Sequence, residues 1–116
     1  MKAVILMLAI VCGCGASTRQ TTIRTALIAA NAANAGFASW DGSHQLEIVR
    51  SAQSKAESDA ALAAYRARRH DVILAFVALY QAIATAGALS DDASLKTVVE
   101  VSARLQKLIG AIEVTP

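Results

Sequence analysis

Proline is all but missing from this chain of 116 residues: the single one is Pro116, the last residue. Because proline ends or kinks a helix, its absence leaves the body of the chain free to be helical. Cysteine is equally scarce. Both copies, Cys12 and Cys14, fall within the first fourteen residues, so the body has no thiol for a disulfide or a thiolate metal site. Five aromatic residues, Phe37, Trp40, Tyr65, Phe76 and Tyr80, are few for strands, which favour aromatic and β-branched side chains in alternation. An excess of one charge is lacking too. The 11 basic and 9 acidic residues leave a net charge of +2, which argues against a dedicated nucleic-acid binder with its strongly basic patch. No Gly-rich phosphate loop, no Gly-x-Ser-x-Gly and no His-Glu-x-x-His occurs, so nothing in the chain supports an enzyme.

What the chain does have is alanine, the best helix former, distributed throughout its body. The fold class expected is all-α. Ahead of the body stands a different kind of segment. Lys2 is followed by apolar residues 3–11 and then by small residues leading to a cysteine, the layout of a cleavable secretory signal. Nine apolar residues extend only about 14 Å as a helix, against a hydrocarbon core of about 30 Å, so an uncleaved anchor is disfavoured.

The ending Val11-Cys12-Gly13-Cys14 resembles the lipobox of bacterial lipoproteins, although Cys12 stands where those boxes more often carry Ala, Ser, Thr or Val. The resemblance implies cleavage after residue 13 and a covalent lipid on Cys14, with the bilayer as partner and no further cofactor. Gly15, rather than Asp, after the cysteine implies the outer membrane, facing the periplasm, if the host is Gram-negative. A plain soluble secretory signal is the alternative. The organisation expected is a signal peptide at 1–13, a lipidated cysteine and polar tether at 14–20, and one helical domain at 21–116.

Three helices are expected, at about 21–52, 55–86 and 91–113 by pattern and caps. On the first, Ile23, Leu27, Ala30, Asn34, Phe37, Trp40, His44 and Ile48 recur at three- and four-residue steps. Asp41-Gly42-Ser43 is its weak point, where a kink or break is expected, since a helical Gly costs roughly 1 kcal/mol relative to Ala. Ser54-Lys55-Ala56-Glu57 has the form of a capping box and opens the second helix. Its stripe runs from Leu62 through Tyr65, Val72, Phe76 and Leu79 to Ile83, with Gly87 suited to the left-handed position that ends it. Ser90-Asp91-Asp92 offers capping oxygens to the third helix, whose apolar face is Leu95, Val98, Val99, Leu105, Leu108, Ile109 and Ile112.

A turn near Ser54 sets residues 23–37 level with 73–86, and the third helix covers the same stretch. The architecture expected is therefore a small antiparallel three-helix bundle with a protruding two-helix arm, the arm formed where the second helix turns polar below Val72. About 35 helical residues place the arm tip some 50 Å, at about 1.5 Å each, from the bundle end. No charge occurs from Val72 to Ser90, a run of 19 residues that raises a membrane-spanning alternative through 72–90. Arg66, Arg68 and Arg69 weigh against it, because the signal would set them outside the cytoplasm.

Candidate chemistry is thin. His44 with Glu47, together with Asp41, His70 and Asp71, superficially resembles a carboxylate and histidine metal site. Bundle sites of that kind draw several Glu ligands and Glu-x-x-His pairs from four helices, so no metal is expected. Trp40, His44, Tyr65, Arg66 and Arg69 form the one candidate partner-facing patch, because Trp, Tyr and Arg are enriched at binding hot spots. The plainer account is a solvated face on which Arg69 reaches Asp41 or Glu47. Together these features lead to a non-enzymatic, lipid-anchored envelope module that presents its arm to an envelope protein or cell-wall component. The layout distantly resembles the major outer-membrane lipoprotein family, although Val114-Thr115-Pro116 lacks the terminal lysine that those proteins link to peptidoglycan. The rival functions are an inhibitor or immunity-type protein, of phage origin in one version, that blocks an envelope enzyme or incoming agent, and self-association through the Ala-rich face of the first helix.

Overall fold

Two short turns decide the topology. At the first, Ser54 is extended (φ −149°) and its Oγ accepts the Glu57 N–H at 3.1 Å. The Glu57 carboxylate answers by accepting the Gln53 N–H at 3.1 Å, one residue further back than in the usual reciprocal box. At the second, Ser90 adopts the left-handed conformation (φ 53°) and its N–H donates to the Ala86 carbonyl at 2.8 Å. Asp91 then caps the next helix, accepting the Ser94 N–H at 2.7 Å.

In the computed structural model, which describes residues 16–114, these turns separate α1 (Ala16–Ser51), α2 (Lys55–Leu89) and α3 (Asp92–Val114), with no strand among the described residues. The chain is an all-α helical bundle. The expected signal and Cys14 lie outside the described residues.

Three local expectations are corrected. The tether expected to reach residue 20 is already helical from Ala16. Arg19 fastens this first part of α1 to the α2–α3 turn, its Nε donating to Asp92 Oδ1 at 3.0 Å and its Nη1 to the Ser90 carbonyl at 3.2 Å. Second, α2 does not stop at Gly87 but runs on to Leu89, and the left-handed position falls to Ser90. With Asp91 already serving α3, only Ser90 and Asp91 separate the two helices. Third, α1 is unbroken through Asp41-Gly42-Ser43. A free Asp side chain competes for nearby backbone hydrogen bonds, but that of Asp41 is held by three other side chains.

The core lies along α2, which packs against α1 on one side and α3 on the other. This double coverage buries Val72, Ala75, Phe76, Leu79, Ala82 and Ile83, while Leu74, Val77 and Leu89 of the same apolar run stay exposed. The buried face of α1 is rotated from the one expected. Ala26, Ala29, Ala30 and Ala33 reach the core alongside Phe37, while Leu27 and Asn34 stay exposed. Small side chains let helix backbones approach closely, so here alanine serves the interior better than leucine. In α3, Ser102 is buried and Val99 exposed, the reverse of what hydropathy suggests.

Because α3 has 23 residues against 35 in α2, it covers only the half of α2 nearer their shared turn and a little more. Beyond its end α1 and α2 continue together as the two-helix arm, and the molecule measures 57 × 21 × 16 Å.

Candidate functional site

Where the arm leaves the three-helix region, a polar knot closes on Asp41. The hairpin register makes it: with the turn at residues 52–54, Asp41 on α1 falls level with Tyr65 and Arg69 on α2. Asp41 Oδ1 accepts the Tyr65 hydroxyl at 2.6 Å and Gln45 Nε2 at 3.2 Å, and Oδ2 accepts Arg69 Nε at 2.8 Å. Tyr65 has no exposed surface and Asp41 is buried.

Burial by itself raises the Asp41 pKa, yet the hydrogen bonds from Tyr65, Arg69 and Gln45 and the Arg69 charge hold it below the ordinary carboxylate value. The Tyr65 hydroxyl is driven well above the ordinary phenol value, first by burial and then by the neighbouring Asp41 carboxylate, which its proton bonds. The knot is thus a charged acceptor surrounded by donors, which is a clamp and not a nucleophile with its base.

An aromatic column continues from the knot into the core. Trp40 stacks on His44 with ring centres 4.5 Å apart, and His44 meets Tyr65 at 4.9 Å. Trp40 then tilts against Phe37 at 6.0 Å, and Phe37 against Phe76 at 5.9 Å. His44 Nδ1 lies 3.9 Å from Glu47 Oε2, while its Nε2 is buried without a hydrogen-bond partner. Next to His44 a cleft of about 360 Å³ opens between the arm helices, floored by Ile48, Ala52 and Ala61 and edged by Glu47 and Glu57.

The five residues expected to face a partner do not act together. Trp40, His44, Tyr65 and Arg69 gather at the knot, whereas Arg66 stays exposed and apart from it. Tyr65 has no surface to offer, which removes it from any docking face. Arg69 is paired to Asp41, the first of the two carboxylates that the sequence offers it. His70 and Asp71 are exposed and make no bond to Asp41, and among the described residues no three His, Cys, Asp or Glu side chains converge as metal ligands would. Asp41 as the hub was visible only indirectly, through a register that sets it opposite Tyr65.

No family model, curated protein or solved structure matches this chain.

Proposed function

We propose that this chain is a non-enzymatic lipoprotein of the bacterial envelope, held to the bilayer by acylated Cys14 and presenting its two-helix arm to another envelope component. The observation that carries the reading is the order Lys2, apolar residues 3–11, then Val11-Cys12-Gly13-Cys14. The position of α1 supports it. Its first residue, Ala16, follows Cys14 by two positions, so a lipidated cysteine would set the bundle directly on the membrane surface. The arm lies at the opposite end of a molecule 57 Å long, and the Asp41 knot braces it where α3 ends. Of the residues expected to face a partner, Arg66 is exposed on the arm outside the Asp41 knot.

One reading competes through a specific observation. Among the described residues α2 alone is long and apolar enough to cross a membrane. Its buried stripe is already covered by α1 and α3, which leaves only the side carrying the exposed Leu74, Val77 and Leu89 free to meet a bilayer.

Intact mass and membrane partitioning of the wild type beside Cys14→Ser decide between them. The lipoprotein reading expects the wild type to lose residues 1–13, gain acyl mass and sediment with membranes, and the variant to do none of these. Equal, wash-resistant membrane retention of both would transfer the assignment to residues 72–90.

A further inference from the structure

Only one side of α1 is used within the chain. Ala26, Ala29, Ala33, Phe37 and Asp41 face the interior, so these core-facing alanines are not available for self-association. The opposite side has a pattern of its own. Ile28, Ala32, Ala35 and Ser39 follow one another at steps of four, three and four, and Gly42, Leu46 and Val49 continue the alternation. All seven are exposed, Ile28 by 62%, Leu46 by 57% and Val49 by 49%. Such a repeat keeps one seam on one side of a helix, as in a coiled coil, and here it is uncharged and uncovered.

The seam is self-complementary. Turned end over end about a point between Ala38 and Ser39, it sets Ile28 opposite Val49 and Ala35 opposite Gly42, and brings Leu46 within one residue of the small Ala32. Gly42 is unexplained within the chain, since a Cβ there would meet nothing within 4 Å. A glycine inside a helix costs roughly 1 kcal/mol relative to alanine, and close approach of another backbone is a use for it.

We propose that this face of α1 pairs with α1 of a second copy of the chain, antiparallel and two-fold symmetric. Ala35 and Gly42 near the axis admit an interaxial distance of about 8 Å, and each Leu46 fills the space over the partner copy's alanine. The parallel alternative sets Arg24 level with Arg24 and Arg50 level with Arg50, whereas the antiparallel one separates these like charges. A seam about 32 Å long and about 10 Å wide offers on the order of 300 Å² per copy. The pair therefore buries roughly 600 Å², about half of the 1,200 Å² at the lower end of stable complexes, so the dimer is weak and reversible.

Mild oxidation of the full chain, extracted in gentle detergent, tests the register, with the unsubstituted protein giving the background from Cys12 and Cys14. Ser39→Cys lies beside the axis and is expected to yield a disulfide-linked species of twice the mass. Ile28→Cys is expected to stay at background, because the two copies of that residue lie about 30 Å apart in the antiparallel pair. Ala35→Glu, at an exposed position, is expected to lower the association constant measured by sedimentation about tenfold or more without changing thermal unfolding. Crosslinking of Ile28→Cys as efficient as that of Ser39→Cys overturns the register. A monomer at every concentration, or an Ala35→Glu chain that sediments like the wild type, overturns the dimer. Release of Ala35→Glu from lipid vesicles that retain the wild type, with Ser39→Cys silent, also overturns it and assigns the face to lipid.

Discussion

Replacing Tyr65 by Phe removes one hydroxyl and nothing else, at a side chain with no exposed surface. The lost bond is the 2.6 Å contact to Asp41, short as hydrogen bonds to a carboxylate are. A buried hydrogen bond to a charged group contributes about 1.5–3 kcal/mol. For a domain of this size each kcal/mol moves the melting temperature by about 4–8 °C, so Tyr65→Phe should melt on the order of 10 °C below the wild type at neutral pH.

The pH profile is the sharper test. The folded pKa of Asp41 lies below its ordinary 3.8, so the stability it contributes is complete above that value and lost as the pH falls through the folded one. The folded pKa of Tyr65 lies above its ordinary 10.0, so its contribution is complete below pH 10.0 and lost as the pH rises beyond it. Phenylalanine cannot ionise. The gap between the two proteins, read by urea unfolding at a series of pH values, should therefore be widest between these limits and narrow on both sides. A gap below about 0.5 kcal/mol at neutral pH, less than a typical net hydrogen bond, refutes the clamp. So does a gap of constant size from acid to alkali.

Two further outcomes follow from the backbone. Gly42→Ala in dilute protein should stabilise the chain by about 1 kcal/mol, since the added Cβ meets nothing and the helix gains an alanine. A lower melting temperature would mean that α1 is broken there after all. Ser90→Gly should raise stability by about 1 kcal/mol in the same assay, because glycine takes the left-handed conformation without the steric cost borne by serine. Destabilisation would place the turn in another conformation.

Helix content and caps were legible in the residues because their causes are local. The absence of internal proline, the run of alanines, the box at Ser54 and the capping oxygen of Asp91 each act within a few positions, and each recurs in the fold. The candidate site was legible in part: Trp40, His44, Tyr65 and Arg69 do meet, but around Asp41, which the sequence marked as a weak point in a helix and as one of two carboxylates open to Arg69, not as the hub. Its neighbour Arg66 is one position from a buried tyrosine and remains in solvent, a distinction that helical phase makes and residue type does not.

By itself, then, the sequence determined that the chain is helical, that its first turn falls at Ser54, and which residues come level across that turn. Tertiary structure decided which face of each helix is interior. It chose alanines over Leu27 and Ser102 over Val99, because neighbouring helices select side chains by the room between backbones as well as by hydropathy. It also moved the left-handed turn from Gly87 to Ser90 and turned Asp41 from a helix breaker into a buried acceptor. Both outcomes depend on partners distant in sequence, which local propensity does not see.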